Sequence, residues 1–238
     1  TASLQDLARR SRLTLNTLVQ GAWALALGHG CNGDDVVFGA TLSGRPATLA
    51  GAESILGPFI NTLPVRVRID DAAGVGAWLA ALQEAQLELR AYEFSPLVHV
   101  QRWSDVPPGR RLFDSLLVFQ NVPAAEGGPG LEVDDVVVRD GATSFPLSLD
   151  VRPGEELLIL ASHDPERLGA VAVERLLDGL ETSLAAFAAA PSVGAVRDRL
   201  READQRRQAR ADEELAVSSR ERLRHAVRRT VRVAAEER

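Results

Sequence analysis

Four histidines, one cysteine and the pair Asn61-Thr62 are the residues of this 238-residue chain whose types invite a chemical reading. His29, His99, His163 and His225 are scattered, and none adjoins another histidine. A general base needs a reacting partner within hydrogen-bond reach, so lone histidines read as structural or solvated. Cys31 lies between Gly30 and Asn32 in an expected loop, with no base or orienting residue beside it, so it lacks the setting of a nucleophile. As the single cysteine it excludes an intrachain disulfide and fits a reducing compartment. No residue is therefore assigned to catalysis or to a metal.

Asn61 and Thr62 are different. They stand inside an apolar stretch, Gly57-Pro58-Phe59-Ile60-Asn61-Thr62-Leu63-Pro64-Val65-Arg66, which otherwise reads as a strand. Strand interiors disfavour asparagine. One reading is an edge strand with a bulge at Asn61, where the amide pins neighbouring backbone. The other turns Asn61 and Thr62 toward a polar ligand. The period of two puts Phe59 and Asn61 on one face and Ile60 and Thr62 on the other. The pattern favours the pinning role for Asn61.

The surrounding elements follow from periodicity. Residues 14–28 predict a helix with Thr14 as N-cap and Gly28, Gly30 and Gly33 as its end. Asp35–Thr41 predicts a short strand, and Ser43-Gly44-Arg45-Pro46 a turn. Residues 49–56 predict a helical turn, 59–69 a strand, 74–92 a helix, and Ser95-Pro96 the start of a third, short helix. Strands are predicted at 112–121, 131–139, 145–152 and 156–162, then a long helix at 166–189 that Pro191 ends. Residues 195–238 predict solvated helix and linker, with Val196, Leu200 and Ala203 a stripe too thin for a core. The fold class is α/β (α+β), a mixed β-sheet layered with helices. Two regions are expected: a domain over 1–190, and an Arg/Glu-rich helical linker or the start of a following domain over 191–238.

Composition sets bounds. All 27 basic residues are arginine, and the net charge is −6. The last 38 residues carry 11 Arg against 8 Asp and Glu, so the rest carries −9. An acidic body argues against nucleic acid as the main partner. No run of 18 apolar residues predicts a membrane span. No secretory signal opens the chain, and a first residue Thr with no methionine anywhere suggests a start other than that of a gene product. The expected location is the cytoplasm.

Several stretches resemble condensation domains of nonribosomal peptide synthetases, in the same order. Thr17-Leu18-Val19-Gln20-Gly21-Ala22-Trp23-Ala24-Leu25-Ala26-Leu27 is similar to the family's apolar helix. Asp34-Asp35-Val36-Val37-Phe38-Gly39 with Ser43-Gly44-Arg45-Pro46 is similar to its strand and turn. Gly57 to Arg66 is similar to its Gly-x-Phe-Val-Asn-Thr-x-x-x-Arg signature. Glu93-Phe94-Ser95-Pro96-Leu97 matches its His-Gln-Asp-Tyr-Pro-Phe position loosely, and Leu112 to Asn121 resembles its apolar strand. The likeness covers residues 1 to about 190.

The resemblance implies a chloramphenicol acetyltransferase-like fold of two lobes around a tunnel, with this chain as the C-terminal lobe. It implies a floor loop near Asn61 and a latch at about 122–147 that reach the other lobe. The family's catalytic His-His-x-x-x-Asp-Gly occurs nowhere in this chain, so the chain is expected to be inactive alone. The implied tunnel and floor residues are Gly57, Phe59, Asn61, Thr62 and Ser43. Arg45, Arg66 and Arg68 are candidates for docking acidic carrier proteins. Implied partners are the N-terminal lobe and the donor and acceptor peptidyl carrier proteins. Phosphopantetheine would arrive on those carriers, and no cofactor is expected on the chain itself. An epimerization domain fits less well, because its strand lacks the Asn-Thr-Leu-Pro run. A non-catalytic module that recruits a tailoring hydroxylase is the alternative, since Ser219–Glu237 faintly resembles the opening of fused iron-dependent hydroxylases.

Overall fold

The structure, a computed structural model, describes residues 1–42, 51, 54–57, 59–120 and 144–224. It divides into two compact units, 1–200 and 201–238. The first unit opens with helix α1 (Ala2–Ser11), which was not expected from the sequence. Its apolar residues Leu4, Leu7 and Ala8 are few, but they pack against the core. Helix α2 (Leu15–Cys31) starts where Thr14 accepts a 3.0 Å hydrogen bond from the Thr17 amide. It runs past Gly28 and Gly30 and ends at Asn32, which takes the left-handed conformation at φ 51°. Gly28 serves packing instead: a Cβ there would collide with Ile69 and the Gly33 carbonyl.

Strands β1 (Asp35–Leu42) and β2 (Asn61–Arg68) form an antiparallel pair with continuous register, from Asp35 opposite Arg68 to Leu42 opposite Asn61. No bulge interrupts β2. Helices α3 (Val75–Leu89) and α4 (Leu97–Trp103) follow, joined by one 3₁₀ turn at Arg90–Tyr92. Then come β3 (Ser115–Phe119), β4 (Leu147–Arg152) and β5 (Leu158–His163). Helix α5 (Ala170–Ala186) and helix α6 (Val193–Arg224) close the order. The expected strand at 131–139, and the expected latch except for 144–147, lie outside the described residues. So does half of the helical turn expected at 49–56.

The sheet order is β2-β1-β3-β4-β5, with β1, β3 and β4 parallel and both outer strands antiparallel to their neighbours. Strand β2 is thus an edge strand, which accommodates Pro64 without loss of a central ladder bond. One face of the sheet carries Val36, Phe38, Ala40, Val65, Leu117, Leu149 and Val151 in the core. Trp23 of α2 is completely buried in that core. The opposite face carries Thr41, Thr62, Arg66, Leu116, Asp150 and Leu160 by the same alternation.

The stripe on α6 differs from its expectation. Val193, Val196 and Leu200 are all but fully buried and belong to the core, so packing continues past residue 190. Three apolar residues suffice because α5 and the loop after β2 close over them. The Val193 amide bonds the Ala73 carbonyl at 2.9 Å, and the Gly194 amide bonds the Asp71 carbonyl at 3.0 Å. Arg197 reaches both Asp34 (2.7 Å) and Asp71 (3.0 Å). Those two hydrogen-bonded carboxylates raise its pKa above the ordinary arginine value, against the opposing, larger single effect of burial.

Candidate functional site

Asn61 sits at the first position of β2 and uses its whole amide. Nδ2 donates to the Glu93 and Ser95 carbonyls, each at 2.8 Å. Oδ1 accepts from the Thr62 amide at 2.9 Å. An asparagine amide offers two donors and one acceptor oxygen, so its donors are spent on the turn that leads into α4. The strand position that disfavours asparagine is explained by this bond set. The valine or isoleucine that a strand would prefer leaves two carbonyls of the 93–95 turn without these donors. The clamp lies within this chain, between an edge strand and a helix start.

Thr62 stands opposite Thr41 across the β1–β2 pair. Gly57 is exposed with φ 144°, a conformation that suits glycine. Phe59 is half-buried. Ser43 and Arg45 lie outside the described residues, as do residues 225–237 of the stretch expected to resemble a hydroxylase opening.

Arg66 and Arg68 do not join that group. They lie five and seven residues farther along β2, about 17–24 Å away at ~3.4 Å per residue. Arg66 forms a two-pronged pair with Asp35, with Nε at 2.9 Å from Oδ1 and Nη2 at 2.6 Å from Oδ2. Arg68 approaches the same carboxylate at 3.8 Å. The hydrogen bond from Arg66 holds the Asp35 carboxyl below its ordinary pKa, with slight burial opposing and the charges of Arg66 and Arg68 assisting. Two arginines against one aspartate leave a local charge of +1.

Around the Asn61 clamp lies an apolar surface that sequence reading missed. Leu56 is 99% exposed, Ile60 69%, Phe94 63% and Trp103 72%. Tyr92 and Val98 are also exposed. The short helix expected from Ser95-Pro96 onward is α4, and it leaves Val98 and Trp103 exposed. A seven-residue helix cannot bury two faces, and of its apolar residues Leu97 and Val100 turn partly inward. The available signal was the density of large apolar residues between Tyr92 and Trp103, more than one short helix can bury.

The other candidates take ordinary places. His163 Nδ1 lies 2.9 Å from the Leu168 carbonyl, and His99 packs beside the Trp103 ring at 5.8 Å. His29 is half-buried in the last turn of α2. Among the described residues no group of His, Cys, Asp and Glu could hold a metal ion. No helix among them is long and apolar enough to cross a membrane. On the open sheet face, Asp150 Oδ2 accepts from Gln120 Nε2 (2.9 Å) and Arg152 Nη2 (2.9 Å).

The sheet order, the motif order and the Asn61 strand define a class. The family model for the condensation domain matches residues 1–208. The chain belongs to the condensation-domain family of nonribosomal peptide synthetases. It is 46% identical over 188 residues to one of the linear gramicidin synthase proteins of Brevibacillus parabrevis, covering 78% of this chain and 4% of that protein. It is 43% identical over 169 residues to chondramide synthase cmdD of Chondromyces crocatus, covering 70% of this chain and 4% of that protein.

Solved structures agree on the fold. The condensation domain of the monacolin K polyketide synthase superposes with TM-score 0.68 at 18% identity, over 79% of this chain and 44% of that one. The first condensation domain of the calcium-dependent antibiotic synthetase superposes at 0.60 and 19% identity, over 80% of this chain and 42% of that one. The architecture is thus the chloramphenicol acetyltransferase-like one of condensation domains, a mixed sheet layered with helices.

Proposed function

We propose that this chain is the C-terminal half of a nonribosomal peptide synthetase condensation domain, with its core running to Leu200 and residues 201–238 an Arg/Glu-rich helical linker. The observation that carries the reading is the exposed apolar surface beside the Asn61 clamp, in a chain that spans 42–44% of two solved condensation domains. Exposed apolar area of this density marks an interface. The other half of the same domain is its partner.

The reaction served is amide formation. The amine nitrogen of one aminoacyl group attacks the carbonyl carbon of an upstream acyl thioester. The C–N bond forms, the C–S bond breaks, and the amine proton ends on the departing thiol. Both groups ride on phosphopantetheine arms of donor and acceptor carrier proteins. Fixing two such arms at one point supplies up to ~7–11 kcal/mol of the barrier.

This chain contributes position. Asn61 holds the 93–95 turn against β2, and Gly57, Phe59, Thr62 and Ser43 line the wall and floor of the tunnel. With its amide donors spent on Glu93 and Ser95, Asn61 orients that wall and does not bind the arm. Arg45, Arg66 and Arg68 steer acidic carriers, with Arg66 tempered by Asp35.

The test is complementation. Loaded donor and acceptor carriers are mixed with this chain, with the separately produced upstream half, or with both. Dipeptidyl product only from the pair is the expected result. Product from this chain alone overturns the reading.

A further inference from the structure

A cavity of about 570 Å³ opens at the ends of β1, β3 and β4 opposite to Asn61. Its walls come from the starts of those three parallel strands, the last turns of α2, and α5 with the loop before it. Leu27, Leu168 and Leu176, each partly exposed, give it apolar walls. Arg111, Arg167 and Asp114 supply its charged groups, which sum to +1. The volume falls in the range of small-molecule pockets, roughly 300–1,000 Å³.

The charged groups are poised for exchange. Arg167 meets Asp114 only at 3.4 Å, and both side chains are well exposed. An exposed pair of this length is worth little, so an incoming anion displaces it at small cost. Arg111 donates to the Ser144 carbonyl and lies over the Phe145 ring at 6.0 Å. A guanidinium has five N–H donors, which leaves others for a ligand.

We propose that this cavity binds a single-chain amphiphilic carboxylate, with the alkyl chain against Leu27, Leu168 and Leu176 and the head on Arg167 and Arg111. The inference does not depend on the function proposed above. The chain's one cysteine, Cys31, is exposed and lines the same cavity, so it reports occupancy without any substitution.

The experiment measures the rate at which N-ethylmaleimide alkylates Cys31 in the full 238-residue chain, by mass spectrometry. Dodecanoate, decanoate, dodecyl alcohol and acetate are the probes, below micelle-forming concentrations, with circular dichroism to follow the fold. Dodecanoate slows alkylation at least fivefold and saturably, and acetate does not. Each buried methylene tightens binding about fourfold, so decanoate needs about 15 times the concentration. The alcohol protects at least tenfold less well, and Arg167→Ala removes that preference. Leu176→Trp narrows the apolar wall where the alkyl chain lies and abolishes protection while the melting temperature holds. Absence of saturable protection in the folded chain overturns the proposal. So does equal protection by alcohol and carboxylate, or protection that survives in folded Leu176→Trp.

Discussion

Replacing Asn61 with alanine removes three hydrogen bonds at once: two donated to the Glu93 and Ser95 carbonyls, one accepted from the Thr62 amide. A hydrogen bond of this kind contributes about 0.5–1.5 kcal/mol net. The groups are part-buried, so water replaces some of what is lost, and a total of about 2 kcal/mol is expected. For a chain of this size that lowers the melting temperature by roughly 4–8 °C. Scanning calorimetry reads the shift on this chain, and turnover is measured in the two-lobed domain. Hydrogen exchange localises the effect, because amides from Glu93 to Val98 lose protection while β4 keeps its own.

Asn61→Asp sharpens the test. The aspartate still accepts from Thr62, but its second oxygen faces two carbonyls in place of two donors. At neutral pH it should melt lower than the alanine variant. On acidification below roughly pH 4 the protonated carboxyl regains one donor, and the gap narrows. If Asn61→Ala melts like the parent and turns over more slowly, the amide serves the tunnel and the clamp argument fails.

Cutting the chain after Ala190 removes Val193, Val196 and Leu200 from the core; Leu200→Ala alone should cost about 2–5 kcal/mol by denaturant unfolding. Arg197→Ala breaks the link to Asp34 and Asp71. Because those carboxylates remain partly solvated, a loss of ~1–2 kcal/mol is expected from urea midpoints, less than for a fully buried pair. The Asp35 carboxyl has a lowered folded-state pKa, so its contribution is present above the unfolded value of about 3.9 and is lost as pH falls through the folded one. The melting-temperature difference between the parent and Asp35→Asn should therefore vanish in strong acid. Asp35→Asn also frees Arg66, and should strengthen carrier binding in a salt-sensitive way; calorimetric titration at two ionic strengths checks it.

The sequence alone carried the order of elements from α2 to β3, the family, and the oddity of Asn61, because these rest on local patterns. Periodicity marks α2 and α3, and Thr14 caps α2 by a bond three residues away. The short helix α1 escaped notice, and the stripe of Val196 and Leu200 was read as too thin for a core, since a few apolar residues become core only when distant elements close over them. Asn61 illustrates the division. Its chemistry as donor and acceptor was readable at once, but its partners, Glu93 and Ser95, lie more than thirty residues away. Likewise the charge on Arg66 was visible, while its pairing with Asp35 depends on the β1–β2 register. Hydrogen bonds and salt bridges between remote segments are set by how the backbone packs. Only the tertiary structure could decide which polar groups were already spent and which remained for a ligand.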